Sequence, residues 1–311
     1  MNKRILITGG SGFIGTNLHK ELSQRGHDLF SIDLLNTNRD NYERCDVSQF
    51  RQIESVFKKH GPFDFVYHLA AEYGRWNGEA YYEQLWQTNV IGTKNIIRLQ
   101  EEFGFNLIFF SSAEVYGDYS GLMAENVMEH NPVKDTYQMN DYAISKWAGE
   151  LICMNSTKMF GTNTVRVRPV NCYGPHEDFT PYRGFVPKFI YSAIHKIPFI
   201  VHRGHKRIID YVEDSCRTWA NISDNFISGQ AYNVGGRIEW ERSIEDYCEI
   251  ILKATGAPSS LVSYKEVEEN TTLVKTIDFS KAISDLKHDP KISPEEGIER
   301  TVDWMKFYYR K

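Results

Sequence analysis

The fold of this 311-residue chain is indicated first by the segment Thr8-Gly9-Gly10-Ser11-Gly12-Phe13-Ile14-Gly15. It follows an apolar run at 5–7 and opens a segment with helical spacing of apolar residues, which predicts a strand, a glycine turn and a helix over 13–24. Glycines at 9, 12 and 15 permit a tight turn, close approach of a pyrophosphate, and close helix–strand packing. The N–H groups at the helix start would face the phosphates. The stretch therefore predicts a dinucleotide-binding loop.

An acidic residue stands near the end of the second predicted strand, over 28–35. The carboxylate of Asp33 would accept hydrogen bonds from both adenosine ribose hydroxyls and repel a 2′-phosphate. No Arg or Lys stands at 34–38, although Arg39 follows, so we expect NAD rather than NADP. Asp46 ends a short third strand. It either accepts a hydrogen bond from the adenine amino group or caps the next helix.

Apolar strands and helices alternate through the first half of the chain. Strands are expected over 4–8, 28–35, 63–71, 106–112 and 163–169, and helices near 13–24, 48–59, 79–102 and 141–159. This alternation predicts an α/β fold with a doubly wound parallel sheet covered on both faces. From about 174 the pattern loosens into helices near 186–195, 214–228, 242–254 and 294–308, which predicts a smaller C-terminal lobe packed on the sheet.

Composition excludes several classes of partner and site. The 36 basic and 41 acidic residues give a net charge of −5, so we expect no nucleic-acid partner and no membrane surface. No apolar stretch approaches the roughly 18 residues of a membrane helix. Five scattered cysteines without a Cys-x-x-Cys pair indicate reduced thiols and a cytoplasmic location. His202 and His205 have no third ligand nearby in sequence, so we expect no metal.

Three polar residues suggest acid–base chemistry. Tyr142 and Lys146 lie four positions apart on a predicted helix, which places them on one face. A lysine ammonium and a cationic nicotinamide ring would lower the pKa of the phenol from its usual value near 10. Tyr142 would then accept a proton from a sugar hydroxyl, and Ser112, at a strand end, would bind the same hydroxyl. The competing interpretation is a solvated helix face.

Further segments carry a family resemblance. They are HLAA at 68–71, TNVIGT at 88–93, SSAEVYG at 111–117, YAISK at 142–146, RPVNCYGP at 168–175, RIIDYVED at 207–214 and YNVGG at 232–236. With the glycine loop, they resemble the extended short-chain dehydrogenases/reductases, in the NAD-dependent epimerase/dehydratase group that acts on nucleotide sugars. The resemblance implies a Rossmann domain at 1–173 plus about 208–238. It also implies a nucleotide-sugar-binding lobe at 174–207 and 239–311.

The resemblance also implies roles for individual residues. The catalytic set is Ser112, Tyr142 and Lys146, with Glu114 as a further candidate. The cofactor-binding set is Gly9, Gly12, Phe13, Ile14, Gly15, Asp33, Asp46, Val47, Leu69, Ala70, Ala71, Tyr142, Lys146 and Val170. The substrate-binding set is Ser112, Asn171, Arg183 and Arg207. The competing interpretation of Arg207 is a surface charge.

The residues after Ser112 leave the reaction open. Dehydratases of this family carry an Asp–Glu pair there, whereas this chain has Ala113 and Glu114, and Ala113 cannot donate a proton. We expect oxidation of C4 of a hexose or heptose, by a C4 dehydrogenase or a 4-epimerase. The alternatives are a C5-active dehydratase or uronate decarboxylase using Glu114, and a non-catalytic NAD-sensing regulator. Glu114 is alternatively a structural carboxylate.

The apolar residues of two predicted helices indicate how the chain assembles. The segments 79–102 and 141–159 carry apolar residues beyond one stripe, including Ile91, Ile144 and Leu151. The resemblance implies a homodimer in which these helices form a four-helix bundle. The aromatic residues Trp76, Tyr81, Tyr82 and Trp86 are expected to pack in the core and between helices, and the alternative is a cluster that stacks on a sugar or base.

Overall fold

A computed structural model describes residues 2–131, 135–268 and 271–310. In these ranges the strands are β1 Arg4–Thr8, β2 Asp28–Asp33, β3 Tyr42–Arg44, β4 Phe65–His68, β5 Asn106–Phe110, β6 Thr164–Pro169, β7 Cys172–Tyr173, β8 Phe199–His202, β9 Lys206–Arg207, β10 Asp210–Tyr211, β11 Ala231–Val234, β12 Arg242–Ser243 and β13 Val262–Lys265. The helices are α1 Phe13–Gln24, α2 Phe50–His60, α3 Arg75–Ala80, α4 Tyr82–Trp86, α5 Thr93–Phe103, α6 Val127–His130, α7 Asp141–Phe160, α8 Phe185–Ile194, α9 Val212–Asn221, α10 Ile244–Thr255, α11 Ser280–Leu286 and α12 Pro294–Tyr308.

A parallel sheet of seven strands, in the order β11-β6-β5-β4-β1-β2-β3, forms the centre of the described chain. From β1 the order runs outward in both directions, which confirms the doubly wound α/β fold. Thr8 lies opposite both Ile32 and His68 in the two ladders that flank β1. The carboxyl ends of β1, β2 and β4 therefore meet at the edge where ligands bind in such sheets.

Helices cover both faces of the sheet with separate apolar clusters. On one face, Leu18 of α1 and Trp219 of α9 pack with Val165 of the sheet. On the other face, Ile53 of α2 and Ile96 of α5 pack with strand residues. Burial of such side chains is the main term that stabilises the layered arrangement.

The C-terminal lobe has its own apolar cluster, to which α8, α10 and α12 all contribute. Within the range 239–311, however, Ala282 and Leu286 of α11 belong to the cluster of the sheet instead. The division of the chain into two domains at the boundaries given above stays a prediction.

Several elements differ from the sequence-based expectation. The helix expected near 79–102 is broken at Tyr81, where φ is −130° and ψ is 49°, and contains a π-helical turn at Gln87–Gly92. The helix expected near 214–228 ends at Asn221. Residues 231–234 form β11, which pairs with β6. No helix in the described ranges is both long and apolar enough to cross a bilayer. The five cysteines form no disulfides.

Candidate active site

A cavity of about 910 Å³ opens at the carboxyl edge of the sheet, between the sheet and the C-terminal lobe. Each residue predicted above for catalysis, cofactor binding or substrate binding lines it. These residues come from both halves of the chain, from Gly9 to Arg207. A mainly enclosed cleft with converging polar groups is the usual form of a small-molecule site.

The glycine loop forms one end of the cavity. Gly9 has a φ of 70°, and the Gly12 N–H donates to its carbonyl over 3.1 Å. A Cβ atom on Gly15 would lie 2.1 Å from the Gly9 oxygen, whereas one on Gly12 would have its nearest contact at 3.4 Å. Gly15 is therefore required for packing, while Gly12 keeps the cavity open. No side chain caps the start of α1, so its first N–H groups suit a diphosphate.

The carboxylates of Asp33 and Asp46 also line the cavity. Asp33 accepts hydrogen bonds from the N–H groups of Ser11, over 3.0 Å, and Leu34, over 2.7 Å. Asp46 accepts one from the Ser48 N–H, over 2.9 Å. The Arg39 guanidinium donates to the Gly10 carbonyl. A glycine cradle followed by a fixed carboxylate fits the diphosphate and adenosine ribose of a dinucleotide.

The predicted catalytic residues meet beneath this loop. Tyr142 and Lys146 are buried on α7, whose start is capped by the side chain of Asn140. The Lys146 Nζ atom donates to the Phe110 carbonyl over 2.8 Å and lies 6.0 Å from the Tyr142 ring centroid. Ser112 follows β5, and its hydroxyl accepts a hydrogen bond from the Glu114 N–H.

The pKa of Tyr142 differs from the expectation. Burial raises it well above its usual range, and Tyr73 acts in the same direction, while a hydrogen bond with Ser112 lowers it. Burial also lowers the pKa of Lys146 to about 7. The protein groups around Tyr142 thus raise its pKa on balance, and the expected lowering by Lys146 together with a nicotinamide ring stays a prediction.

Sequence reasoning missed Lys275, which forms an ion pair with Glu114 over 2.6 Å. The two residues lie 161 positions apart, so no local pattern could reveal the pair. Burial by itself raises the pKa of Glu114, but Lys275, Arg75 and Arg207 together bring it below its usual value. Glu114 is consequently held as an anion.

Arg207 is buried, which rules out the surface-charge interpretation. Its guanidinium donates to the carbonyls of Lys206 and Leu273, and also to the Thr271 hydroxyl and the Thr272 carbonyl. Most N–H groups of Arg207 therefore hold the segment 271–273 in place. Thr271 of this segment and Lys275 line the cavity.

The other two predicted substrate residues are also fixed by neighbours. The Asn171 amide donates to the Ile208 carbonyl over 2.8 Å, and Asn171 has a φ of 43°. The Arg183 guanidinium lies 5.3 Å from the ring centroid of Tyr73. Tyr73 itself packs edge-on against Tyr142, with ring centroids 5.7 Å apart. Arg183 is therefore linked to Tyr142 through one aromatic ring.

Some histidines and aromatic residues lie outside the predicted catalytic and binding sets. His68 is buried, and its two ring nitrogens contact the hydroxyls of Thr8 and Thr93, as in a core histidine. The described ranges hold no group of three or more metal-ligating side chains. The expectation of core packing is wrong for Trp76, Tyr81 and Tyr82, which are about half exposed.

Residues 5–235 match the family described as NAD dependent epimerase/dehydratase. The match spans well over half of the chain. The chain belongs to the NAD dependent epimerase/dehydratase family. This membership confirms the family resemblance, an enzymatic role and NAD as the cofactor.

Relatives within the family carry out different reactions. The chain is 27% identical to a UDP-N-acetyl-alpha-D-glucosaminuronate decarboxylase of Bacillus cytotoxicus, over 98% of both chains. It is also 27% identical to a CDP-paratose 2-epimerase of Salmonella typhi, over 97% of this chain and 98% of the other. The epimerase/dehydratase family therefore does not by itself identify the reaction.

A solved structure shares the fold of this family member. The UDP-glucose 4-epimerase of Thermotoga maritima, solved with UDP-glucose, superposes with a TM-score of 0.86 at 23% identity. The superposition covers 98% of this chain and 99% of the other. It supports the same layered α/β architecture over nearly the whole length.

Proposed function

We propose that the enzyme binds a nucleotide-activated hexose or heptose and oxidises its C4 hydroxyl, as a C4 dehydrogenase or a 4-epimerase. One observation carries the proposal. Ser112, Tyr142 and Lys146 line a single cavity that the glycine loop and Arg207 also line. The roles assigned to the site residues in the sequence analysis are part of this proposal.

The mechanism assigns separate tasks to the side chains of the chain. When bound, NAD supplies the two-electron oxidant. The Ser112 hydroxyl hydrogen-bonds the C4 oxygen, and Tyr142 accepts the proton of that hydroxyl. Tyr142 must ionise for this step, and positive charge brought close to the phenol favours the ionised form. The Phe110 carbonyl holds the Lys146 Nζ atom 6.0 Å from the centroid of the Tyr142 ring.

The ionised state of Glu114 favours reactions that leave C5 of the sugar unchanged. Its pairing with Lys275 keeps the carboxylate charged with a pKa below the usual value. A carboxylate with a low pKa is a weak base and has no proton to donate. Ala113 cannot replace it as an acid. These properties favour a C4 dehydrogenase or 4-epimerase over a C5-active dehydratase.

Uronate decarboxylation is the second candidate, and the charges around Glu114 favour it. Lys275, Arg75 and Arg207 all act electrostatically on this one carboxylate. Such a cationic surrounding would attract a sugar carboxylate. Oxidation of C4 would then give a β-keto acid, from which the C5–C6 bond breaks, carbon dioxide leaves, and C5 takes up a proton.

A panel of nucleotide sugars distinguishes the candidates. The purified enzyme is incubated with each compound and NAD, and the product is analysed by mass spectrometry and NMR. Loss of two hydrogens indicates a C4 dehydrogenase, and unchanged mass with altered stereochemistry indicates a 4-epimerase. Loss of water or carbon dioxide indicates dehydration or decarboxylation. Absence of any product with the whole panel contradicts the proposal and favours an NAD-sensing regulator.

We further propose that the enzyme is a homodimer formed through a four-helix bundle, in the cytoplasm. Ile144 and Leu151 of α7, and Ile91 of the adjoining π-helical turn, are each 40–47% exposed. The same helices bury their other faces against the sheet. Light scattering at micromolar concentration should give the mass of two chains, and Leu151→Asp should give that of one. A wild-type monomer contradicts the assembly.

A further inference from the structure

A buried carboxyl group outside the predicted sites lines the same cavity. Glu177 is 3% exposed, and its Oε2 atom has no hydrogen-bond partner. Buried polar atoms almost always have a partner, because an unpaired group loses its hydration without compensation. Burial raises the pKa of Glu177 to about 7, although Arg183 opposes this effect. Glu177 lines the cavity, so a ligand bound there is suited to donate a hydrogen bond to a carboxyl group that the protein leaves incompletely satisfied.

The loop that carries Glu177 is held in place on both sides. The Asn17 amide of α1 donates to the Pro175 carbonyl over 2.9 Å. The Phe179 N–H donates to the Tyr309 hydroxyl over 2.7 Å, and the Phe179 ring stacks on Tyr191 at 3.9 Å. Because these contacts fix the loop, the carboxyl group is positioned before any ligand binds.

The neighbours of Glu177 limit the chemistry of the ligand. Its charge acts on Tyr73, which packs edge-on against Tyr142. Glu177 thus lies on the side of the cavity where the reacting sugar and the nicotinamide ribose are expected. In its ionised form the Glu177 carboxyl group repels phosphate and carboxylate groups, and in either form it accepts hydrogen bonds from hydroxyls. The sugar and the ribose expected on that side carry hydroxyl groups that can donate hydrogen bonds.

We propose that Glu177 is a binding residue whose carboxyl group accepts a hydrogen bond from a hydroxyl of a ring bound in the cavity, either the sugar of the substrate or the ribose of the cofactor. The substrate alternative rests on the proposed function, whereas the cofactor alternative rests only on membership of the NAD-dependent family. In both cases, Glu177 selects a ligand that carries a hydroxyl at one position.

Two variants and one control test this role. Glu177→Leu removes the acceptor, and Glu177→Gln retains one acceptor oxygen. Asp178→Asn is the matched control, because Asp178 is the next residue in the loop and is exposed. The melting temperature of each ligand-free protein is measured first. We expect that of Glu177→Leu to stay equal or rise by a few degrees, because an unpaired buried carboxyl is removed.

Binding is then measured by calorimetry in two arms. The first uses NAD with the ligand-free protein, and the second uses the nucleotide sugar selected by the panel, at saturating NAD. Glu177→Leu should weaken one or both affinities by about 10- to 100-fold, with a smaller loss in Glu177→Gln and none in Asp178→Asn. A loss in the NAD arm identifies the ribose, and a loss in the sugar arm identifies the substrate ring.

Other results overturn the proposal. Unchanged affinities in both arms do so, and so does a lower melting temperature of Glu177→Leu with unchanged affinities, which indicates a structural carboxyl. If wild type binds no nucleotide sugar, the proposed function fails, while the NAD arm still decides the role of Glu177. A deoxy analogue of the bound ring should bind wild type and Glu177→Leu equally, because the hydrogen bond is absent in both.

Discussion

The two walls of the cavity are built in different ways. The cofactor wall, named for its proposed ligand and defined by the glycine loop with Asp33 and Asp46, is made of backbone groups and of carboxylates bound to nearby N–H groups. The substrate wall, also named for its proposed ligand and defined by Glu114, Arg207 and Lys275, is made of side chains held by distant partners. A local motif thus suffices for the first wall, whereas the second requires the whole fold. Substitutions should therefore affect the two ligands separately.

The largest effect on activity is expected for a substitution of Tyr142, the proposed proton acceptor. Tyr142→Phe removes the proton acceptor and little else, so the rate of C4 oxidation should fall by a factor of about 10²–10⁴. NAD should remain bound, because the cofactor wall is unchanged. Single-turnover absorbance of NADH measures the step, and Tyr137→Phe, at an exposed tyrosine, is the control. Wild-type activity in Tyr142→Phe would falsify the assignment of catalytic roles.

A pair of glycines tests the cofactor wall. Gly15→Ala brings a methyl group against the Gly9 oxygen, so the free energy of unfolding should fall by about 1–3 kcal/mol. The displaced loop should weaken NAD binding by about 100-fold. Gly12→Ala has room for its Cβ atom and should fold normally, yet bind NAD more weakly. Calorimetry and thermal unfolding measure both effects, and equal melting temperatures of the two variants contradict this account.

Arg207 tests the substrate wall. Arg207→Met removes a positive charge and releases the segment 271–273, so nucleotide-sugar affinity should fall by about 10- to 100-fold. NAD affinity should stay the same, because the cofactor wall is unaffected. The control is Arg203→Met, in the same basic run but outside the cavity. A parallel loss of NAD binding would show that the two walls are not independent.

Asp33 tests the choice between dinucleotides. Asp33→Asn retains an acceptor oxygen for the N–H group of Ser11 or of Leu34, but not for both, and removes the negative charge that repels a 2′-phosphate. The ratio of NADP to NAD affinity should rise by about tenfold, which corresponds to about 1.4 kcal/mol. Nucleotide-sugar affinity should not change. A wild-type protein that releases mainly NADP on denaturation contradicts the role of Asp33.

The smallest expected effect concerns the pH dependence of the Glu114–Lys275 pair. Because Lys275 lowers the pKa of Glu114, the pair stabilises the fold above the unfolded pKa of Glu, about 4.3, and this contribution is lost as pH falls. Lys275→Met should therefore cost about 1 kcal/mol at pH 7 and less near pH 4. Denaturant unfolding at both pH values measures this, with Lys253→Met, an exposed lysine, as control. A cost independent of pH contradicts the ion-pair account.

The proposed cofactor side of the cavity could be predicted from local features of the sequence. The glycines, the carboxylate of Asp33 and the strand–helix alternation are contiguous or periodic, so their consequences for the backbone can be deduced residue by residue. The helix of Tyr142 and Lys146 follows for the same reason, since its i, i+4 spacing fixes one face. The predicted site residues at strand ends, such as Asp33 at the end of β2 and Ser112 after β5, reach one cavity because parallel strands end at a common edge.

The electrostatics of the proposed substrate side could not be predicted in this way, because they depend on contacts between residues far apart in the sequence. Lys275 contacts Glu114, and Arg207 contacts the segment 271–273. These partners are too far apart in the sequence for helix or strand periodicity to predict the contacts. The unpartnered oxygen of Glu177 and the raised pKa of Tyr142 arise from burial, which depends on every element that surrounds the cavity. A side chain's charge and contacts are set by its neighbours in space, and those become known only when the chain has folded.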